Sequence, residues 1–295
     1  MNLKKPIVSI VTPTYNRAGF IGDAVRSVLC QSMPDWELLI VDDGSEDNTR
    51  EVLAEYETDP RIHYFYQPNQ GQSIARNNAL EKVRGDFVGF LDSDDLWCAD
   101  KLERQLALFE SHPEVHIVHG DESIINEEGR ETSRENMRRY SGRITPQLLA
   151  DNSVSITTAL VRRQCFDEMG GFKASNGVAD DYDLWLRFSA RYLFHYEPGI
   201  VASYRVMDDQ ISSDKRRRLA ANEMIIMNFL KQYGDTITLQ ERCRGLARFY
   251  CRSARYFASI GERKKAARDI VLAFRNSPMD SLVWRALFRV LVPQK

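Results

Sequence analysis

Short apolar runs rich in β-branched residues alternate along this chain with segments whose apolar residues recur at helical spacing, and few folds accommodate that pattern. IVSIV at 7–11 reads as a buried strand that stops at Pro13. Ile21, Ala24, Val25, Val28 and Leu29 mark a helix over 20–31, with Pro34 beyond it. WELLIV (36–41), RIHYFY (61–66), DFVGFL (86–91) and VHIV (115–118) read as further strands, and 49–56, 73–83 and 101–110 as the helices between them. Such alternation predicts an α/β domain built from βαβ units around a mostly parallel sheet. In sheets of that kind ligands bind beyond the carboxyl ends of the strands, so the polar residues just after each strand are where chemistry is expected.

Those residues have a pattern of their own. The first strand ends in Thr12-Pro13-Thr14-Tyr15-Asn16-Arg17, the second in Asp42-Asp43-Gly44-Ser45, and the strand at 86–91 in Asp92-Ser93-Asp94-Asp95. Paired acids at neighbouring strand ends would raise one another's pKa unless a cation compensates. Hard carboxylate oxygens suit Mg²⁺ or Mn²⁺, which bind few side chains when a substrate's phosphates complete the shell. Tyr15 can stack on a base, Asp43 can accept a base N–H, and Arg17 or Arg76 can reach a diphosphate. Asp42 and Asp43 before Gly44 also suit a turn, and on the residues alone Asp181 reads as a solvated acidic helix start.

VSIVTPTYNR (8–17), ELLIVDDGSEDNT (37–49), Gln70-Gly71 with Ala75-Arg76-Asn77, FLDSDD (90–95), Gly170-Gly171-Phe172 and the run from Asp180-Asp181 to Arg187 occur in the order seen in family 2 glycosyltransferases, which the chain resembles over about residues 6–212. The resemblance implies a GT-A fold, Rossmann-like with a mostly parallel central sheet, and metal-dependent, inverting transfer of a sugar from a nucleotide-diphospho-sugar, UDP-linked by expectation, to a glycan or glycolipid hydroxyl. It places Pro13, Tyr15, Asp42 and Asp43 at the nucleotide, and Arg17 and Arg76 near its phosphates. Asp92, Ser93 and Asp94 form the D-x-D, with Asp94 the direct ligand of Mn²⁺ or Mg²⁺, Asp92 beside it and Asp95 a further candidate. Asp181 matches the catalytic base, and Asp180 stands where the family usually has Glu. Many relatives carry a His two residues after a Tyr-Arg pair; here Tyr204-Arg205 is followed by Val206 and Met207, so Asp208 or Asp209 becomes the candidate substitute. A nucleotidyltransferase lacks its Gly-rich N-terminal signature here, G-x-G-x-x-G is absent, and a non-catalytic sugar-nucleotide scaffold would have no need of Asp92, Asp94 and Asp181.

The net charge of −2 hides a division: residues 1–214 hold 22 basic and 36 acidic residues (−14), whereas 215–295 hold 18 and 6 (+12). The reading is therefore a catalytic domain at 1–214 and a basic helical appendage at 215–295. Two apolar stripes, around Leu246–Ala258 and Ala266–Phe274, flank Gly261 as in a helical hairpin, which favours packing over nucleic-acid binding. The last helix, 282–292, joins Trp, Phe and Leu to arginines, the composition of a segment lying on an anionic membrane, though its own domain or a partner chain would also cover it. Residues 120–160 are polar and irregular and read as a solvated loop or a lid. His116 and His119 read as strand-packing or surface residues rather than a metal pair, and Trp97 and Trp185 as packing residues. Five scattered cysteines without C-x-x-C, and no run of 18 apolar residues, lead to the expectation of a cytoplasmic protein, peripheral at most to the inner face of a membrane.

Overall fold

The computed structural model describes residues 5–134, 137–173, 178–207 and 214–291. From the N-terminus come β1 (Val8–Thr14), α1 (Ile21–Leu29), β2 (Trp36–Asp42), α2 (Thr49–Ala54), β3 (Ile62–Tyr66), α3 (Gln72–Leu80) and β4 (Phe87–Phe90). Next are β5 (Leu96–Trp97), α4 (Lys101–Ser111), β6 (Val115–Ile125), β7 (Glu131–Arg134), α5 (Thr145–Leu148), β8 (Leu160–Arg162), α6 (Gln164–Met169), α7 (Asp180–Ser189) and β9 (Leu193–Arg205). The helices α8 (Lys215–Tyr233), α9 (Leu239–Ser259), α10 (Arg263–Asn276) and α11 (Ser281–Leu291) follow.

The strands form one sheet in the order β3-β2-β1-β4-β8-β6-β9-β5, with β7 paired to β6. Its first half, β3-β2-β1-β4, is parallel as the alternation predicts. Beyond it the sheet is mixed: β8 runs antiparallel to β4 and β6, while β6 and β9 are parallel. Alternate residues of the central strands feed two cores. Val8, Ile10, Leu38 and Ile40 pack with α1, α2 and α4, and Val11, Leu39 and Val41 with α3 and the later helices. Thr14 pairs with Asp42, and Asp42 with Tyr66, so these strands end along one edge of the sheet.

The reading of 120–160 as a solvated loop is corrected at 120–125, while its solvation stands at 127–134, whose residues are exposed. β6 runs on through Gly120–Ile125 beside β9, and its polar residues are hidden because they are paired. Ser123 Oγ donates to Ser203 Oγ (2.8 Å), and Ser155 Oγ donates to Glu122 Oε2 (2.5 Å). His119 is fully buried against Tyr140 O (3.0 Å), and burial pushes its pKa down to about 3, a packing role as expected. Trp97 and Trp185 are buried as well.

The helical region shares the second core. Ile225, Phe229, Leu246, Phe249 and Phe257 belong to the same apolar cluster as Val11, Phe90, Leu148 and Trp185. α8 packs on α7, and α9 packs on α5 at Gly245, where a Cβ would lie 2.5 Å from Leu149 Cβ. Glycine costs a helix interior about 0.5–1 kcal/mol against alanine, and here it permits the close approach. α9 and α10 form a hairpin whose turn uses Gly261 at φ +80°.

Candidate active site

The strand ends interlock before they meet anything else. Asn16 sits in the left-handed region (φ 50°); its backbone N–H donates to Ser45 Oγ (2.9 Å) and its Oδ1 accepts from Glu46 N (2.8 Å). Of the two acids ending β2, Asp42 turns away from the cleft: its carboxylate accepts from Ser45 N (2.8 Å) and the Tyr64 hydroxyl (2.9 Å). Asp43 lines the cleft, and its oxygens accept from Gln67 Nε2 (2.7 Å), Gln70 N (2.8 Å) and Gly71 N (2.7 Å). It thereby fixes the turn that launches α3. Tyr15, 44% exposed, stands on the rim beside Pro13.

α3 carries Arg76 into the centre of the site. The guanidinium, 2% exposed, donates through Nη2 to Asp92 Oδ1 (2.6 Å) and through Nη1 to Asp180 Oδ2 (3.0 Å). Burial opposes its charge, but the two carboxylates outweigh burial and hold its pKa above the usual value. Asp180 also accepts from Ser73 Oγ (2.8 Å), Gln72 Nε2 (3.4 Å) and Asp181 N (3.0 Å). This network ties the end of β4 to the start of α7.

Asp94 lines the cleft and pairs with Arg17 Nε (3.3 Å); burial, then the charge of Asp92, raise its pKa. Ser93 lies beside it. Asp95 is turned beneath the loop, where its Oδ1 accepts from Arg205 N (3.0 Å), and burial raises its pKa well above the carboxylate range. Its other oxygen has no hydrogen-bond partner. Among the described residues no three His, Cys, Asp or Glu side chains gather as a metal site. Asp92 and Asp94 still present hard oxygens to the cleft, and Asp94 is held against its preferred ionisation. That set fits a divalent cation completed by diphosphate oxygens and water better than a closed protein cage. Met207 is buried, and Asp208 and Asp209 lie outside the described residues.

Asp181 is the second residue of α7, whose N-cap Ala179 is a non-glycine residue at φ 62°. Left-handed backbone of this kind is costly and concentrates at functional sites. The Asp181 carboxylate is half-buried and accepts from Asn152 Nδ2 (3.0 Å). Burial and the neighbouring Asp180 raise its pKa to about 7, with Arg76 and Asn152 acting in the opposite direction. A carboxylate balanced there is suited to take a proton near neutral pH.

These groups surround a cleft of about 790 Å³ that also contains residues the sequence motifs do not reveal. Asn69, Gln72, Asn152 and Ser155 come from loops and helix starts. Arg218 and Asn222 of α8 and Arg252 of α9 bring the helical region to the wall. The stretch after Asp214 contains no motif that marks them; only its excess of arginine hinted at an anionic neighbour.

The profile of the family described as Glycosyl transferase family 2 matches residues 9–170. The Bacillus subtilis protein TuaG, whose name refers to teichuronic acid biosynthesis, is 37% identical over 216 residues, covering 72% of this chain and 83% of its own. The Escherichia coli enzyme WfgD, named as a UDP-Glc:alpha-D-GlcNAc-diphosphoundecaprenol beta-1,3-glucosyltransferase, is 31% identical over 234 residues, 76% of this chain and 87% of its own. A longer glycosyltransferase of Rickettsia conorii is 33% identical over 184 residues, and the chain spans 30% of its length. In fold the chain is similar to residues 1–349 of S. aureus TarS, with a TM-score of 0.68 at 18% identity over 96% of this chain and 88% of that one. The same TarS fragment is also known in complex with UDP-GlcNAc, at a TM-score of 0.60. Acidic strand ends, the acid pair opening α7 and the match across β1–β8 lead to one conclusion: the chain belongs to glycosyl transferase family 2 and is a glycosyltransferase.

Proposed function

We propose that the protein transfers a sugar, with inversion, from a UDP-sugar to a hydroxyl of a glycan or lipid-linked saccharide during cell-surface polysaccharide assembly. The observation that carries this reading is Asp181, half-buried in the cleft that holds Asp92 and Asp94, with its pKa raised to about 7. Tyr15, Pro13 and Asp43 would hold the nucleobase, and Arg17 would face the diphosphate. Asp181 accepts the acceptor hydroxyl's proton as that oxygen bonds to the anomeric carbon, and the anomeric C–O bond breaks with its electron pair leaving on the nucleoside diphosphate. A divalent cation held at Asp92 and Asp94 would supply positive charge to that leaving group. The UDP preference is supported by WfgD's named donor and by the UDP-GlcNAc complex of TarS, and the lipid-linked acceptor by WfgD's name. Asp181→Asn should keep donor binding, measured by calorimetry, while transfer falls by about 10²–10⁴-fold. Near-normal turnover would reassign the base.

A second part of the proposal places the enzyme on the cytoplasmic face of a membrane as a catalytic part at 1–214 with a basic helical part at 215–295. No helix among the described residues is long and apolar enough to cross a bilayer. α11 instead exposes Trp284 (56%) and Phe288 (67%) on the face that carries Arg285, while Val283 and Ala286 are buried on the other. Aromatic side chains beside arginines suit the interface of an anionic bilayer.

A further inference from the structure

The cleft wall built by α8 and α9 contains polar groups that the donor chemistry leaves unused. Asn222 is 4% exposed and lines the cleft, yet its Oδ1 has no hydrogen-bond partner. An unmatched buried amide costs about 1–3 kcal/mol, so it calls for a ligand or another reason to be there. Arg218, one helical turn earlier, lines the same cleft, is exposed, and has no side-chain partner among the described residues. Arg252 approaches from α9. Its Nη1 is paired with Asp151, but its Nε and Nη2 are buried without partners, and burial with nearby Arg255 lowers its pKa to about 10. Asp151 precedes Asn152, the residue that holds Asp181. Arg218, Asn222 and Arg252 thus border the same cleft as Asp181.

We propose that Arg218, Asn222 and Arg252 form an anion subsite that binds a phosphate group carried by the acceptor. Two guanidinium forks and an amide from two helices suit a tetrahedral oxyanion, which accepts from several directions at once. Asn222 Oδ1 is an acceptor as it stands, and a flipped amide would offer Nδ2 at that unpartnered position. The phosphate could belong to a lipid diphosphate or to a polyol phosphodiester; the recognition chemistry is the same. The inference rests on the glycosyl-transfer reading and adds to it the residues that recognise the acceptor's phosphate.

The test uses the full-length protein, the nucleotide sugar that releases UDP fastest in the absence of acceptor, and four acceptors sharing one terminal sugar. These are a short-chain alkyl diphosphate conjugate, a polyol phosphodiester conjugate, a uronate conjugate and a neutral alkyl glycoside. One or both phosphate acceptors should exceed the neutral one in kcat/KM by about tenfold or more, and the better of the two identifies the source. Arg218→Gln should bring that ratio close to one, whereas Arg218→Lys should retain most of it. Lys264→Gln, which removes an exposed charge outside the cleft, should leave the ratio unchanged. A wild-type ratio near one, a ratio indifferent to Arg218→Gln, equal loss with Lys264→Gln, or equal preference for the uronate would each overturn the subsite. UDP release without acceptor preference defeats only this inference. No nucleoside diphosphate release from any nucleotide sugar, with or without the four acceptors, defeats the transfer reading and the subsite with it.

Discussion

Asp181 has a pKa raised to about 7, against about 3.9 for an ordinary aspartate, and two pH dependences follow with opposite signs. Its base form is the carboxylate, so kcat/KM should fall about tenfold per unit as pH drops below 7 and level off above it. For stability, the folded chain keeps a proton between pH 4 and 7 that the unfolded chain has released, so Asp181 contributes a loss of stability as pH rises through that window, about 1.4 kcal/mol per unit at most. Asp181→Asn cannot titrate. Its melting temperature relative to wild type should therefore climb from pH 5 to pH 8, and a constant difference would show an ordinary pKa. At this scale the sequence is informative about pairs but not about their members. Asp42 and Asp43 are equally plausible ligands as letters, as are Asp94 and Asp95. In each pair one acid lines the cleft and its neighbour faces away from it, because the chain turns just after each strand: Asp42 accepts from Ser45 N and Asp95 from Arg205 N. Arg76 likewise reads as a phosphate ligand, and only the fold shows it held between Asp92 and Asp180.

Among the elements, those of the parallel half are legible because their residues are apolar on both faces and their helices are short and periodic. β6 beyond Gly120 is not, since buried Glu122 and Ser123 disguise a strand as a loop until their partners on other segments are known. The contact of α9 with α5 is equally hidden, for it depends on what faces Gly245. Gly245→Leu should force these helices apart and destabilise the protein by about 1–3 kcal/mol in chemical denaturation. Retained stability would mean that α9 adjusts without cost. The acidic first turn of α7 is legible as a helix start, but the strained Ala179 that aims it is not.

Over the whole molecule, the opposed charges of the two parts belong to one body. Deleting 215–295 would remove Ile225, Phe229, Leu246 and Phe249 from the shared core, so membrane contact is better tested at the surface. The wild type should sediment with vesicles containing anionic lipid and be released by roughly 0.5 M salt. The double substitution Trp284→Glu with Phe288→Glu should stay in the supernatant at low salt, and undiminished sedimentation would remove α11 from the membrane reading. The packing of α9 on α5 also bears on biosynthesis. Translation delivers the strand ends that line the cleft and Asp181 early, and the wall with Arg218, Asn222 and Arg252 late. Until α8 and α9 emerge, Leu148, Leu149 and the face of α7 around Trp185 lack their cover, so a nascent chain paused there is a sticky half-enzyme with nothing to grip an acceptor.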